Sequence, residues 1–451
     1  MSADRPINAD VPVPGKPAPD PPEGPKPEPS KPASRPSPKA PKHRRRRQPI
    51  PAALKAIAAL VVIAVAFIVA AVVGGSGGES DTGPTGPAPT PAPAADEAAT
   101  PVTQTAEELG FPSFATANTT RVGGSDSAAN AAAVALAVFP STVPAQRPAA
   151  VTLVGEDDWA GAIAASVLMS APVRAPVLVS GNGELPGPTA EALAALDPQG
   201  SAATAGATAF AIGDLATPDG GEVTPVKAGS AAATAAAVAS LRDRLFGSAP
   251  KQIVVAPSNR PDFAMPAAAW AARSGDPVLF AAGDQLPHPT AAALERHRDV
   301  PVYVLGPSSA ISSKAVRAIA RIGNEVHRVS GEDPVANAIA FARYTDGGFG
   351  WNVNDPGHGF VLAREDSPLD AAAAAALSAA GTWGPLLLTD GPTALPAPLR
   401  EYFLDVKPGY TTNPTRAFYN HVWVIGNQEA IDVNQQAQVN ELAELAKIGG
   451  G

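Results

Sequence analysis

Short apolar runs alternate with alanine-rich stretches over most of the chain beyond residue 119. The runs come in three sets: VTLVG, PVLVS and AFAIG; QIVVAP, PVLFA and VYVLG; GFVLA, PLLLT and VWVIG. Helical patterns such as WAGAIAASVLMS, FAMPAAAWAARSG and SPLDAAAAAALSAAG lie between them. Strands that are apolar throughout and alternate with helices indicate parallel sheets covered on both faces. The sequence therefore predicts an α/β fold of three tandem, small, doubly wound parallel-sheet modules of flavodoxin or Rossmann type.

The three modules are predicted at residues 119–216, 222–322 and 324–447. Each opens with a strand, a glycine turn, a Ser or Asp suited to cap a helix, and a helical pattern. Each also contains a similar segment: PVLVSGNGELPGPTAEAL, PVLFAAGDQLPHPTAAAL or PLLLTDGPTALPAPLREYF. The Pro-opened strands are expected to be central and buried, with proline at the first strand position.

The chain before the modules has a different composition. Residues 1–50 are Pro-rich with a basic block and are predicted to be a disordered tail. Residues 52–73 are predicted to form a transmembrane helix, because Ala56 to Val73 is apolar and uncharged over a length that spans a bilayer. A cleaved signal peptide is the alternative, but its leader would be unusually long. Residues 74–105 form a predicted Pro/Ala/Gly linker.

Charge is distributed unevenly about this span. Twelve Lys and Arg residues precede Ala56, and none lies between Ser76 and Thr120. The positive-inside rule therefore predicts a cytoplasmic N-terminus, a single span of the cell membrane and extracytoplasmic modules. The RRRR block is explained by orientation and attraction to anionic lipid. Acidic residues dominate beyond the span, which argues against a nucleic-acid partner.

Catalytic and cofactor sites find little support in the sequence. The chain has no Cys, and its six His are scattered without metal-ligand spacing. GNGELPG places its last glycine one residue too far along for a dinucleotide loop. The carboxylates of GEDDW and REDSPLD suit a general acid/base pair, but helix capping explains them better. We therefore predict no metal, no cofactor and no enzyme activity; a wall hydrolase would lack a nucleophile or metal constellation.

The order RVGGSD…NAAAVA, VTLVGEDDWAGAIAASVLMSAPVRAPVLVS, LPGPTAEALAAL and AFAIGD resembles the cell wall-binding repeat type 2 family. The resemblance covers roughly Thr119 to Lys447 in three tandem copies. It implies a three-lobed array that attaches non-covalently to an anionic wall glycopolymer. The second copy departs most, because the place of the family's arginine holds Val226 or Lys227 and the place of its aspartate holds Ala231.

The resemblance also implies polymer-binding residues, through the Pro-x-Leu-Leu segments and the opening Arg and Asp. These are Arg121, Asp126, Pro176, Val177, Leu178, Val179, Pro277, Val278, Leu279, Phe280, Arg328, Asp333, Pro385, Leu386, Leu387 and Leu388. The residues themselves leave alternatives open. The Pro-x-Leu-Leu side chains suit a buried core, and the turns after them suit an anion at a helix N-terminus. Each arginine suits either pairing with its aspartate or an outward fork for a polymer phosphate.

The function predicted from these features is a membrane-anchored, non-catalytic tether to a wall glycopolymer. The alternative is an extracytoplasmic receptor or scaffold that binds a protein partner, with the Pro-rich tail as a further partner site. If the arginines bind polymer, replacing Arg121 and Arg328 together should weaken wall binding at unchanged thermal stability.

Overall fold

The strand runs identified in the sequence are strands in the structure, a computed structural model that describes residues 115–227 and 229–448. The predicted tail at 1–50, transmembrane helix at 52–73 and linker at 74–105 lie outside the described residues. Among the helices of the described ranges, none has both the length and the apolar character to cross a membrane. The part of the chain that is described is a succession of strands and helices, as the alternating pattern predicted.

The strands are short, and most are apolar throughout. In chain order they are β1 Thr119–Val122, β2 Val151–Gly155, β3 Val177–Ser180, β4 Ala209–Ile212, β5 Val223–Val226, β6 Ile253–Pro257, β7 Val278–Ala281, β8 Val302–Leu305, β9 Val326–Val329, β10 Gly359–Arg364, β11 Leu386–Thr389, β12 Gly409–Tyr410, β13 His421–Ile425 and β14 Ala446–Lys447. Both faces of the inner strands are buried, which explains why they do not alternate with polar residues.

The helices begin at local capping signals and several end at glycine. In chain order they are α1 Ser127–Val138, α2 Trp159–Ala165, α3 Gly187–Leu196, α4 Ala231–Phe246, α5 Pro261–Ser274, α6 His288–Glu295, α7 Ser313–Ile322, α8 Pro334–Arg343, α9 Pro368–Ala380, α10 Ala397–Asp405 and α11 Val433–Ala443. Gly247 and Gly275 end α4 and α5 in the left-handed conformation that glycine adopts without steric cost. A 3-10 turn at Ser166–Met169 extends α2.

Three four-stranded parallel sheets result. The first has the order β3-β2-β4-β5, the second β7-β6-β8-β9 and the third β11-β10-β13-β1. Within each sheet the chain moves from an inner strand to one edge and then returns to the other side. This order is that of a doubly wound α/β sheet, and the reversal defines a crevice at the carboxyl ends of the strands. Parallel pairing of β12 with β14 adds a small two-stranded sheet near the C-terminal end.

The strand that opens each predicted module belongs to the sheet of another module. β5 pairs with β4 of the first sheet, and β9 pairs with β8 of the second. β1 pairs with β13, so the start of the described chain completes the third sheet. The helix after each opening strand then packs on the next sheet, because α1 contacts β3, α4 contacts β7 and α8 contacts β11. The three sheets are therefore joined in a closed cycle.

Alanine-rich helices fill the centre of this cycle. α2, α5 and α9 come from equivalent positions in the three modules and pack against one another. Their contact faces are almost wholly alanine, and small side chains let helix backbones approach closely. Larger side chains fill the edges of this centre, as where the ring of Trp159 meets that of Phe280 edge to face at 5.8 Å. The alanine content therefore reflects how the modules are assembled.

Candidate functional site

The Pro-x-Leu-Leu segments form edge strands next to the central helices. β3, β7 and β11 each lie at the end of their sheet, so the expectation that they are central strands is wrong. They are nevertheless buried, because β3 contacts α9, β7 contacts α2 and β11 contacts α5. In each case the covering helix belongs to a different module. The side chains at 177–179, 278–280 and 386–388 thus contribute to packing between modules in this structure.

The prolines that precede these strands lie just outside them. Pro176, Pro277 and Pro385 carry carbonyls that accept backbone hydrogen bonds from Thr152, Val254 and Val361 of the neighbouring strand. Proline has no N–H to give to a ladder, and a position before an edge strand requires none. These residues therefore fix where pairing starts.

The turns after the Pro-x-Leu-Leu strands lead into helices that begin with proline. Pro186, Pro287 and Pro396 occupy the N-cap positions of α3, α6 and α10, without a side-chain cap, and another proline follows within the first turn. Each proline removes one N–H from the helix end. Glu156 and Glu184 also line the cleft beside the first of these turns. Fewer free N–H groups and nearby carboxylates make this place unfavourable for a phosphate.

Arg121 is buried inside the third sheet, with 1% of its surface exposed. Its guanidinium donates to the backbone carbonyls of Gly426, Asn427 and Ile431 at 2.8, 2.7 and 2.6 Å. It also donates twice to the Oε1 atom of Gln436 on α11. Burial lowers the pKa of Arg121 to about 10. The side chain of β1 therefore holds the loop between β13 and α11.

Arg328 makes the same kind of contact in the second sheet. It donates to the carbonyls of Gly306 and Ile311, in the loop between β8 and α7. These carbonyls occupy the same places in their loop as those of Gly426 and Ile431. Desolvation lowers the pKa of Arg328, as it does for Arg121. Both arginines are thus loop clamps on the edge strand that pairs with the strand preceding the loop.

The paired aspartates cap helices. Asp126 accepts a hydrogen bond from the N–H of Ala129 at 2.9 Å, and Asp333 from that of Ala336 at 2.7 Å. Among the described residues neither aspartate forms an ion pair with its arginine, and neither arginine points outward as a fork. The geometry therefore differs from both alternatives that the sequence left open. A polymer-binding role for these residues remains a prediction.

The first sheet has no arginine clamp. Strand register places Pro225 opposite Ala211, as Arg328 lies opposite Val304 and Arg121 opposite Val424. The place of the arginine is therefore taken by Pro225, which corrects the assignment to Val226 or Lys227. The place of the capping aspartate is taken by Ser230 rather than Ala231.

Two open clefts lie at the carboxyl ends of the strands. The cleft of the third sheet, about 370 Å³, is lined by residues that follow β1, β10 and β13, including Asp126, Arg364, Asp366, Asp370 and Glu429. The cleft of the first sheet, about 390 Å³, is lined by residues that follow β2, β3 and β4. Its carboxylates are Glu156, Asp157, Asp158 and Asp214. Both clefts coincide with the reversal of strand order, where ligands of doubly wound sheets bind.

Apart from Glu365, the carboxylates of GEDDW and REDSPLD line these clefts, and some of them act as helix caps. Asp158 accepts a hydrogen bond from the N–H of Gly161 at 2.8 Å, although burial raises its pKa. Asp366 forms an ion pair with Arg364 at 2.5 Å. No group of three or more metal-ligating side chains with suitable geometry occurs within residues 115–227 and 229–448.

Asp370 is the carboxylate of REDSPLD whose burial and position in this cleft the sequence did not predict. It lies in the first turn of α9, with 8% of its surface exposed. Burial raises the pKa of its carboxyl, and hydrogen bonds from Ser127 and Asn130 oppose that shift. Its Oδ1 atom has no hydrogen-bond partner among the described residues. The signal available in the sequence was the carboxylate cluster of REDSPLD, for which helix capping and first-turn acidity was the favoured interpretation.

Residues 229–316 match the family model described as Cell wall binding domain 2 (CWB2). The chain carries a cell wall-binding repeat of type 2. The matched repeat runs from α4 into α7 and includes the edge strand β7 with its Pro277. It contains neither Arg121 nor Arg328, so the family match does not depend on the arginine clamps.

Two solved structures share the fold of the repeat array. Cwp6 from Clostridium difficile matches with a TM-score of 0.58 at 20% identity, over 73% of this chain and 48% of that chain. Cwp8 from Clostridium difficile matches with a TM-score of 0.56 at 20% identity, over 73% of this chain and 52% of that chain. The chain thus spans about half the length of each. No curated protein sequence matches the chain.

Proposed function

We propose that this protein binds a glycopolymer of the cell wall through its type 2 repeats and does so without catalysis. The observation that carries the proposal is the match of residues 229–316 to Cell wall binding domain 2 (CWB2). The sheets before and after that stretch have the same strand order, which supports repeats of one function. The open polar clefts at the strand ends supply surfaces for a long polar ligand.

The anionic character of the polymer is part of this proposal and rests on the family resemblance. The clefts themselves are rich in carboxylates, so phosphates of such a polymer would lie outside them. The polymer would then contact the clefts through its sugar groups.

Membrane anchoring at residues 52–73, with the repeats on the extracytoplasmic side, completes the proposal. Its support is the apolar stretch Ala56 to Val73 and the excess of Lys and Arg before it. Protease added to intact wall-stripped cells should remove the repeats and spare the tail at 1–50. Cleavage of tail and repeats at equal rates, without lysis, would show that the orientation is wrong.

The wall-binding proposal is tested by co-sedimentation of the purified full chain with wall sacculi, before and after acid extraction of their anionic polymers. Binding that is present and falls on extraction supports it. Absence of binding to either preparation contradicts it, and isolation of a specific protein partner would then favour the receptor alternative.

A further inference from the structure

We propose that the cleft of the third sheet binds a positively charged amino group of the wall polymer, with Asp370 as the residue that receives it. This inference rests on the proposed function and names the chemical group that the site recognises. It is carried by one unpartnered buried oxygen and by the charge of the groups around it.

The Oδ1 atom of Asp370 is buried and has no hydrogen-bond partner in the described part of the chain. Leaving a buried carboxylate oxygen unpaired costs folding free energy, so native proteins satisfy almost all such atoms. Ser127 and Asn130 lie near the carboxyl and partly oppose the rise of its pKa. Asp370 also lines the cleft, so a ligand donor that enters the cleft lies beside this carboxyl group.

The groups facing the cleft make that donor cationic. Asp126, Asp366 and Glu429 line the cleft together with Asp370, and the basic side chain among the lining residues is Arg364. Arg364 is occupied by Asp366, to which its Nη2 atom donates at 2.5 Å. The remaining field is negative, which attracts an ammonium group and repels a phosphate or a carboxylate.

A bound amine is also consistent with the raised pKa of the Asp370 carboxyl. Burial and the nearby charges of Asp126 and Asp366 raise the pKa of this carboxyl. A bound ammonium would stabilise the ionised form and oppose both effects. A metal ion does not fit as well, because no metal-ligand group of three or more is present among residues 115–227 and 229–448.

The equivalent places in the other sheets lack this carboxylate. Asp370 is the third residue after the N-cap Ser367, and the same position holds Phe263 after Arg260 in α5 and Gly161 after Asp158 in α2. In the second sheet Asn337, which matches Asn130, donates instead to the carbonyl of Phe263 at 3.4 Å. The buried acceptor is therefore particular to the third sheet.

The first experiment uses calorimetric titration of the full chain with chitosan oligosaccharides and with fully N-acetylated chito-oligosaccharides of the same length. The two probes differ only in their amines, which acetylation makes neutral. We expect the chain to bind the free-amine form at least about tenfold more tightly, the scale of one hydrogen bond between charged groups. Equal affinity for the two forms would overturn the proposal.

Matched variants separate the cleft from the overall negative charge of the protein. Asp370→Asn and Glu429→Gln should each weaken binding of the free-amine probe severalfold, and Glu429 is exposed, so its variant tests the cleft without disturbing the core. Asp219→Asn removes the same charge at an exposed loop position outside both clefts and should change nothing. If all three variants lose affinity equally, the binding is non-specific and the proposal is wrong.

A second experiment distinguishes failure of the amine site from failure of the proposed wall-binding function. Full chain is sedimented with untreated sacculi and with sacculi whose amines have been acetylated. Retention that falls on acetylation supports the amine site; mild alkali, which removes ester-linked amino acids but spares amino sugars, identifies the source. Retention that is indifferent to acetylation and to Asp370→Asn overturns the amine site and leaves wall binding intact. Failure to bind untreated sacculi contradicts the wall-binding function itself.

Discussion

The first and third sheets share their strand order but differ in the segment that follows their second inner strand. Between β13 and the C-terminal end, the third sheet has a loop, helix α11, and the clamp of Arg121. Between β4 and β5 of the first sheet, residues 213–222 contain no helix, and the clamp position holds Pro225. The second sheet agrees with the third, since it has both α7 and Arg328.

This difference teaches what the arginine does. In the second and third sheets the loop that leads into the helix presents carbonyls to the arginine, and buried carbonyls need hydrogen-bond donors. Where the helix is absent, the arginine is absent as well. Gly213, Gly306 and Gly426 end the inner strand of all three sheets with φ of +104°, +102° and +94°. The glycine turn is thus common to all three sheets, whereas the clamp accompanies the helix.

The largest effect should come from Arg121→Gln. The change removes the donors to three loop carbonyls and to Gln436, and it weakens the attachment of β1 that closes the cycle of sheets. We expect a loss of about 3 kcal/mol or more in the free energy of unfolding, measured by denaturant titration. Arg400→Gln, at an exposed position on α10, is the control and should cost less than about 0.5 kcal/mol.

This expectation opposes the one drawn from the sequence alone, in which the arginine variants keep their stability and lose wall binding. Unchanged unfolding of Arg121→Gln, together with weaker retention on sacculi, would restore the polymer-contact interpretation and refute the clamp.

A smaller loss should follow Arg328→Gln. This side chain is only partly buried, and it serves two carbonyls, those of Gly306 and Ile311. Loss of two such bonds with partial access of water should cost about 1 to 2 kcal/mol in the same titration. Hydrogen exchange adds a local test, because the N–H groups of α7 should exchange faster while those of α11 do not change. Equal acceleration in both helices would show that the clamp is not local.

Asp370→Asn should change how the thermal stability of the protein depends on pH. Burial raises the pKa of Asp370 above its value in the unfolded chain. The unfolded carboxyl ionises near pH 4, so the wild-type fold is penalised as pH rises from there through the folded pKa. The variant cannot ionise. It should therefore gain thermal stability relative to wild type at pH 7, by less than Arg328→Gln loses, and the gain should vanish near pH 3.

Melting temperatures of the two proteins from pH 3 to pH 8 measure this difference. If the variant is less stable than wild type at pH 7, Asp370 is a structural acceptor for Ser127 and Asn130, and its ionised form is what the fold needs. The second sheet offers the contrast, because Phe263 at the same place does not titrate.

Much of the fold was predictable from the sequence, and the reason is burial. The runs at Val151, Gln252 and Gly359 are apolar because helices cover both faces of their sheets, and that pattern identifies strands directly. The sequence pattern does not show which strands pair with one another. β3, β7 and β11 look central because helices of another module bury them, although they are edges. For the same reason, the sequence does not show that β1, β5 and β9 each pair in the sheet of another module.

The candidate site was less predictable than the fold. Arg121 and Asp126 were identified as a pair through the family resemblance, but proximity along the chain does not show that the arginine's acceptors lie some 300 residues away. Asp370 was grouped with the other carboxylates of REDSPLD, and its separate significance depends on neighbours from α1 and on an oxygen without a partner among the described residues. Long-range contacts of this kind are set by the closed cycle of sheets, which no local pattern reports.

The smallest effect should be that of Pro225→Arg, which places the missing arginine on β5. If the clamp depends only on the strand position, the new side chain should stabilise the first sheet. If it depends on a loop that leads into a helix, it should find no acceptors, because residues 213–222 form no helix. Pro225 is exposed, and replacing proline alone costs roughly 0.4 to 1 kcal/mol through the unfolded state, so Pro225→Ala is the matched control. We expect the Arg and Ala variants to unfold within about 0.5 kcal/mol of each other. An Arg variant that is more stable than the Ala variant by about 1 kcal/mol, the value of a net hydrogen bond, would show that the connection of the first sheet retains the acceptors and that the helix is not what the clamp requires.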